Sequence, residues 1–170
     1  EENKGWTCAK FLLAHERSGI AGVAASKRGV ERIKEIAKTE MDDDRPLLTN
    51  PFFRRKVAEL EMDLTALEYT ELRTLAGEAQ GKGPGPESSL LKIKGSEIQQ
   101  RYSELMMLAA GPYSLPFIFE AMDAGWQGNF PGQEVSNAPL AANYFNMRKT
   151  TIYGGSNEVQ RNIVAQTVLG

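Results

Sequence analysis

The 170-residue sequence predicts an all-α fold: an antiparallel, up-down bundle of three long helices, with a short helical segment and a docked C-terminal helix. Three observations favour this class. Apolar residues recur at three- and four-residue steps over long stretches, which is the period of a helix with one buried face. Glycine, proline and N-capping residues separate these stretches, and no stretch shows a convincing strand pattern. Because the connections are short, neighbouring helices are expected to run antiparallel within one domain, residues 1–170.

The first predicted helix spans about residues 6–40 and ends at the acidic run Asp42-Asp43-Asp44. Three glycines lie inside this pattern, and each costs up to about 1 kcal/mol against alanine in a helix. The apolar positions that define the predicted buried face are Phe11, Leu12, Ile20, Val23, Val30, Ile33 and Ala37.

Two further long helices follow. Asn50 is a predicted N-cap and Pro51 a predicted first helical residue, so a second helix is expected over about 51–79, ended by the glycine- and proline-rich run 81–86. Ser88 or Ser89 is the expected cap of a third helix, which Gly111 and Pro112 end. The apolar faces of these helices are Val57, Leu60, Leu64, Leu67 and Leu75, then Leu91, Ile98, Tyr102, Leu105 and Ala109.

The stretch from Tyr113 to Pro139 is less regular. Phe117, Ile118 and Met122 indicate a short helix, and the glycine-rich run 125–132 indicates a loop long enough to serve a function or an oligomer contact. A fifth helical segment is expected over about 138–149.

The last stretch combines a glycine turn with a capped helix. Gly154 and Gly155 free the backbone, Ser156 is a good N-cap, and Glu158 places a carboxylate in the positive first turn. Such a turn exposes N–H groups that suit a polar ligand group, although an ordinary capped helix has the same pattern. The predicted apolar stripe of this helix is Val159, Ile163, Val164, Thr167 and Val168.

Composition excludes several classes of protein. The 20 basic and 22 acidic residues leave a formal charge of −2, without the basic surplus of a nucleic-acid-binding protein. The single cysteine, Cys8, cannot form an intramolecular disulfide and fits a reducing, cytoplasmic compartment. One His and one Cys make a zinc site of those ligands implausible, so no metal is expected, and no apolar run reaches the ~20 residues of a membrane span. Because the first residue is Glu, we expect a piece of a longer polypeptide.

Glu16 and Arg17 lie near the start of the first predicted helix. Adjacent residues are separated by about 100° of helix rotation, so these two side chains do not face each other. From spacing alone, two solvated surface charges are the expected interpretation.

The order of residues from Tyr153 to Ile163, Y-G-G-S-N-E-V-Q-R-N-I, resembles the C-terminal helix of the acyl-CoA dehydrogenase family. In that family a glutamate removes the α-proton of an acyl thioester while the β-hydrogen leaves as hydride to the flavin. Most members carry this glutamate directly after the motif's tyrosine, where this chain has Gly154. Other members carry it in a Glu-Arg pair on the first long helix, and here Glu16-Arg17 stands in the matching run E-R-S-G-I-A-G. The resemblance therefore implies that Glu16 is the base.

The resemblance implies roles for other residues too. Arg17 would help hold the substrate or the local helix, and Tyr153, Gly154 and Gly155 would line the site beside the thioester. Ser156, Glu158 and Gly111 would lie near FAD. It also implies an acyl-CoA substrate, an electron-transfer flavoprotein as electron acceptor, and homo- or hetero-oligomers formed through the bundle. Complete members carry an N-terminal helical domain and a middle β-domain, so this chain alone is expected to fold but to be inactive.

Three departures from the family pattern point to a divergent bacterial-type branch, some of whose members are heteromers. Glu40–Asp44 replaces an Arg-x-x-Phe-Gly run that contacts flavin, and acidic residues there would repel a diphosphate. Met107 stands where a flavin-contacting glutamine is common, and the run from Gly125 to Asn137 is longer than usual.

Three alternative functions remain open on the sequence. The chain could be a structural, non-catalytic part of a heteromeric dehydrogenase, which the lost flavin contacts favour and Glu16 opposes. It could belong to a flavin monooxygenase on the same scaffold, which needs no α-proton base. An unrelated helical interaction module is the third.

Overall fold

The structure, a computed structural model, describes residues 2–83, 85–117, 119 and 139–170, and the side chains of these residues other than 14–18. The helices it describes are α1 (Gly5–Ile20), α2 (Val23–Thr39), α3 (Pro51–Ala79), α4 (Pro86–Ala110), α5 (Leu140–Met147) and α6 (Asn157–Leu169). Short 3-10 turns cover Leu47–Thr49, Gly111–Ser114 and Arg148–Thr151. The predicted all-α class is confirmed. Across the described residues, none of these helices is long and apolar enough to cross a membrane.

The first predicted helix is two helices rather than one. Gly22 has a φ of 60°, in the left-handed region, which ends the regular helical ladder after Ile20. The prediction of one helix over 6–40 was wrong, because the apolar periodicity continues across Gly22 whereas the helical backbone is interrupted there. The predicted buried positions in α2 are confirmed, whereas Phe11 and Leu12 in α1 are 71% and 63% exposed.

The predicted bounds of the next two helices are close to those observed. Asn50 is the cap of α3 as expected, since its Oδ1 accepts from the N–H groups of Phe52 and Phe53 at 2.9 and 3.2 Å. The expected cap of α4 was wrong: α4 begins at Pro86, and Ser88 and Ser89 are buried inside its first turns. Leu75 was expected in the core but is half exposed.

A small hairpin connects α2 to α3. Two two-residue strands, β1 (Met41–Asp42) and β2 (Arg45–Pro46), pair antiparallel, although no strand was expected. Asp43, with a φ of 54°, takes the left-handed conformation that such a tight turn needs. The strands escaped prediction because a turn of charged residues carries no apolar alternation.

The predicted fifth segment is confirmed in α5, which continues into the 3-10 turn Arg148–Thr151. The predicted helix around Ile118 and Met122, the loop over 125–132 and the long run from Gly125 to Asn137 lie outside the described residues.

The chain divides into two compact units. The first unit comprises Glu1–Ala24, Asp63–Ile98 and Lys149–Gly170, and the second comprises Ala25–Met62 and Gln99–Arg148. The core of the second unit is mainly aliphatic and includes Val30, Ile33, Val57, Leu60, Leu105 and Ala109. The first unit buries Leu64, Leu67, Leu91 and Ile98, but it also buries a set of polar side chains that contact its terminal motif.

Within the first unit, α4 approaches the break between α1 and α2 very closely. An ideal Cβ built on Gly95 would lie 2.5 Å from the Cα and 2.6 Å from the carbonyl oxygen of Ala21. Ala21 is fully buried at this contact. Only a residue without a side chain fits at position 95, so the backbone of α4 holds the C-terminal end of α1.

The last helix docks through polar residues. Asn157 and Gln160 are buried, whereas Val159, Thr167 and Val168 are exposed and Ile163 and Val164 are only partly buried. The predicted apolar stripe of α6 is therefore not the face through which this helix docks. The physical reason is that the first unit offers α6 a polar surface on α4.

We predict that Gly95→Ala destabilises the protein by about 1–3 kcal/mol, because the added methyl group overlaps the backbone of Ala21. Urea titration followed by circular dichroism measures the free energy of unfolding. Gly77→Ala in α3 is the matched control: its Cβ would meet only the Lys82 side chain, at 3.6 Å, so stability should stay equal or rise by up to about 1 kcal/mol. Equal stability of the two variants would contradict the close contact.

Candidate functional site

The terminal motif forms a sharp turn between the 3-10 turn Arg148–Thr151 and α6. Gly154 and Gly155 have φ values of 62° and 93°, which confirms the expected glycine turn. The side chain of Gln160 reaches back from α6, and its Nε2 donates to the carbonyl oxygen of Gly154 at 3.0 Å. A Cβ at Gly155 would lie 2.7 Å from that same nitrogen, so the turn and the glutamine side chain fit only with glycine there.

Lys92 of α4 is the central contact of this motif. Its side chain is fully buried, and Nζ donates to the carbonyl oxygen of Thr151 at 2.7 Å and to Oδ1 of Asn157 at 2.6 Å. These two acceptors lie on either side of the turn, just before Ile152 and just after Ser156. One ammonium group therefore binds both ends of the glycine turn.

Two serines of α4 complete the polar contact with α6. Nδ2 of Asn157 donates to Oγ of Ser96 at 3.2 Å, and Oγ of Ser89 donates to Oε1 of Gln160 at 2.9 Å. Ser89, Lys92 and Ser96 are spaced three and four residues apart, so they share one face of α4. Each buried polar group of α6 thus has a partner, which is what makes a polar docking surface stable.

The other side of the turn is exposed. Ile152 is 66% exposed, Tyr153 45% and Val159 50%. Within the described part of the chain, no hydrogen bond engages the N–H groups of Gly154 and Gly155. The turn therefore presents apolar side chains together with two available backbone donors.

Ser156 and Glu158 serve the start of α6. The Ser156 side chain accepts from the N–H of Val159 at 3.5 Å, so the predicted N-cap is confirmed. The carboxylate of the exposed Glu158 accepts hydrogen bonds from the backbone N–H of Glu158 and from the Ser156 side chain. These hydrogen bonds hold the pKa of Glu158 below its usual value. The carboxylate is thus stabilised in its charged form at the positive end of the helix.

Glu16 and Arg17 lie on α1 within the first unit, and their side chains are outside the described ones. Gly111 ends α4 with a φ of 56° and belongs to the second unit. The structure therefore brings together Tyr153, Gly154, Gly155, Ser156 and Glu158 in one turn, while the roles implied for Glu16, Arg17 and Gly111 stay predictions.

The acidic segment that departs from the family pattern forms the β1–β2 hairpin. Asp42 accepts from the side chain of Asn50 at 2.6 Å, and a cavity of about 360 Å³ lies among Asp42–Asp44, Arg45, Thr49, Asn50 and Pro51. Among the described residues no cluster of three or more His, Cys, Asp or Glu side chains could hold a metal ion.

The residues that support the turn escaped prediction. Lysine is rarely fully buried, so Lys92 was not placed on the inward face of α4. The available signal was a pattern of polar residues at helical spacing, which comprises Ser89, Lys92 and Ser96 in α4 and Asn157 and Gln160 in α6.

We predict that Lys92→Met destabilises the protein by about 1–3 kcal/mol, because the Thr151 carbonyl and the Asn157 side chain lose their buried donor. Denaturant titration measures this loss. Lys94→Met is the control two residues away: Lys94 is 60% exposed and pairs only with Glu97, so its loss should change stability by less than about 0.5 kcal/mol. A Lys92→Met variant as stable as this control would contradict the assigned contact.

The pKa of Lys92 also predicts a pH dependence. Burial lowers this pKa from its ordinary value of 10.5 and is the largest cause of the shift. The charge of Glu158 raises the pKa by a smaller amount, and the charge of Arg161 lowers it. Between the lowered pKa and 10.5 the unfolded chain binds more protons than the folded chain, so stability rises with pH in that window. We expect the difference in free energy of unfolding between wild type and Lys92→Met to shift in favour of wild type as pH rises towards 10.5. Denaturant titrations at increasing pH measure it, and a constant difference would contradict a desolvated ammonium.

Comparison with known proteins connects this turn to a family. The sequence profile described as the acyl-CoA dehydrogenase C-terminal domain matches residues 3–169. Acyl-CoA dehydrogenase IpdE1 of Mycobacterium tuberculosis is 29% identical over 168 residues, which are 98% of this chain but only 38% of that protein.

Solved structures show the same fold. Butyryl-CoA dehydrogenase from Megasphaera elsdenii matches with a TM-score of 0.76 at 21% identity, over 100% of this chain and 40% of that one. A chain of the ChsE4–ChsE5 complex from Mycobacterium tuberculosis matches with a TM-score of 0.76 at 22% identity, over 100% of this chain and 42% of that one. Since the profile covers the terminal turn, α6 and nearly all the rest of the sequence, the chain belongs to the acyl-CoA dehydrogenase family, in which it corresponds to the C-terminal helical domain.

Proposed function

We propose that this chain is the C-terminal domain of a flavin-dependent acyl-CoA dehydrogenase that desaturates an acyl-CoA thioester between its α and β carbons. The observation that carries the proposal is the terminal turn, which Lys92 fixes from the inside and which carries exposed apolar side chains. Among the described residues, the N–H groups of Gly154 and Gly155 in this turn have no hydrogen-bond partner. This combination suits a thioester, whose carbonyl oxygen accepts hydrogen bonds and whose acyl chain is apolar.

The reaction needs a base, and the turn itself supplies none. Gly154 has no side chain, and the nearby Glu158 carboxylate is bound at the start of α6. The run E-R-S-G-I-A-G resembles the site where some family members carry the base on their first long helix, so we assign the base to Glu16, which removes the α-proton as the β-hydrogen leaves with its electron pair. An apolar acyl chain beside this carboxylate would desolvate it and raise its pKa towards the operating pH. Arg17 is assigned to holding the substrate or the local helix.

The proposed cofactor is FAD, which when bound accepts the hydride from the β carbon. Ser156 and Glu158, at the start of α6, are the residues of this motif that we assign to FAD, with the Glu158 carboxylate as an acceptor from a hydroxyl group. Gly111 is assigned to the same ligand from the end of α4. The acidic hairpin Asp42–Asp44 does not suit a diphosphate, so we place no diphosphate contact there.

Because the chain spans 38% of the length of its relative IpdE1, its activity depends on further polypeptide that shares the site. We therefore expect the chain alone to fold without dehydrogenating acyl-CoA. An electron-transfer flavoprotein is the proposed electron acceptor. The exposed apolar side chains of α6 support an oligomer formed through these helices.

A structural, non-catalytic role in a heteromer is the second candidate. The glycine at position 154 and the acidic hairpin support it, because neither contributes a group that the dehydrogenase reaction needs. It differs from the first proposal in requiring neither bound flavin nor Glu16.

We predict that Glu16→Gln slows anaerobic flavin bleaching by acyl-CoA at least about 10²-fold in the flavin-containing protein that includes this domain, since a lost general base has that effect. Rapid mixing followed at the oxidised flavin band measures the step. Glu78→Gln, an exposed glutamate of α3, is the control and should bleach at the wild-type rate.

The outcomes of the flavin-bleaching experiment distinguish the candidate functions. Equal bleaching by wild type and Glu16→Gln places the base elsewhere. A protein that binds flavin and oxidises substrate by oxygen insertion, with Glu16 dispensable, is a monooxygenase. A protein that binds no flavin is the structural subunit.

A further inference from the structure

A small cavity lies in the first unit between α1, α3 and α4. Its volume is about 190 Å³, and it is lined by Gly19, Glu71, Thr74, Leu75 and Leu91. A Cβ at Gly19 would meet nothing within 4 Å, so the space beside this exposed glycine is open. Two leucines make the walls apolar, so the cavity suits a hydrocarbon group with at most a small polar substituent.

Among the described side chains that line the cavity, Glu71 is the ionisable one. Its side chain is partly buried, and within the described part of the chain no hydrogen bond or ion pair engages its carboxylate. The polar neighbour Thr74 is already used, since its hydroxyl donates to the carbonyl oxygen of Thr70 at 3.0 Å. Burial, followed by the charge of Glu68, raises the pKa of Glu71. A partly desolvated carboxylate without a donor is stabilised by any ligand that brings one.

The cavity is adjacent to the position assigned to the base. Gly19 follows Glu16 by three residues on α1, so their backbone positions are about 4.5 Å apart along the helix axis. If the acyl chain passes Glu16 at its α-carbon, carbons further along the chain come within reach of this cavity. The inference that follows rests on the proposed function.

We propose that the cavity is a subsite for a hydroxyl group carried by the acyl chain, and that the Glu71 carboxylate accepts a hydrogen bond from that hydroxyl. An ionised carboxylate only accepts hydrogen bonds, so its partner must be a donor. Leu75 and Leu91 contact the methylene groups that flank the hydroxyl. An unsubstituted chain of equal length leaves Glu71 desolvated without a partner, which makes Glu71 a residue that determines substrate specificity.

The test compares kcat/KM for acyl-CoAs that bear a hydroxyl at successive carbons beyond the β-carbon with kcat/KM for unsubstituted chains of the same length. The protein is the complete flavin-containing enzyme. Wild type should prefer one hydroxylated isomer by about tenfold or more, the scale of a hydrogen bond to a charged group. Glu71→Met should abolish that preference by lowering kcat/KM for the hydroxylated chain and raising it for the unsubstituted chain, which then no longer desolvates a carboxylate. Glu78→Gln should retain the preference.

Gly19→Ala provides a second variant that is safe for folding, since its methyl group would meet nothing within 4 Å beside the cavity-lining Gly19. It should reduce the preference for the hydroxylated chain by crowding the subsite. An unchanged preference in both Glu71→Met and Gly19→Ala, or a wild type without any preference, overturns the subsite. If no acyl-CoA bleaches the flavin of the wild type, the proposed dehydrogenase function fails instead, so the two failures are distinguishable.

Discussion

The geometry of the terminal turn depends on one buried ammonium group. Lys92 connects the carbonyl oxygen of Thr151 to the side chain of Asn157, and so closes the chain around the two glycines. Burial of a charged lysine carries a desolvation penalty, which the lowered pKa reflects. Hydrogen bonds to two oriented acceptors offset that penalty, and both acceptors are correctly oriented only when the turn has its observed conformation.

The residues that support the turn differ from the groups that could bind a ligand. The side chains that hold the turn, Lys92, Ser96, Asn157 and Gln160, face inward and are buried. The Tyr153 side chain, which could meet a ligand or another polypeptide segment, is 45% exposed. A binding surface supported by fully hydrogen-bonded neighbours stays in one conformation without a ligand, which reduces the entropy lost on binding.

Helical periodicity was sufficient to predict the fold class and the bounds of α3, because its apolar stripe and its Asn50-Pro51 start are local signals. It failed at Gly22, where a single backbone conformation interrupts a continuing apolar pattern. Helical periodicity also did not identify the buried face of α6, because the buried residues of this helix are polar. Burial of a polar residue depends on a partner distant in sequence, and Lys92 and Asn157 are 65 positions apart.

The candidate site was predicted only in part, because its turn depends on adjacent residues whereas the packing around it depends on residues distant in sequence. The glycine turn and the Ser156 cap are consequences of adjacent residues, so the sequence contains all the information needed to expect them. The cavity beside Glu71 could not be expected, because it arises where three helices meet and where Gly19 withholds a side chain.

The contact between Gly95 and Ala21 is a point about which α1 could tilt. The contact lies beside the break at Gly22, whereas Glu16 lies five residues earlier, about 7.5 Å away along the helix axis. A tilt of α1 by about 10° about this contact would move the backbone at Glu16 by about 1.3 Å, given that helical rise. Displacements of about 1 Å can slow a reaction about 10²-fold. Under the proposed assignment of Glu16 as the base, Gly95 would therefore help to set the backbone position of the catalytic residue.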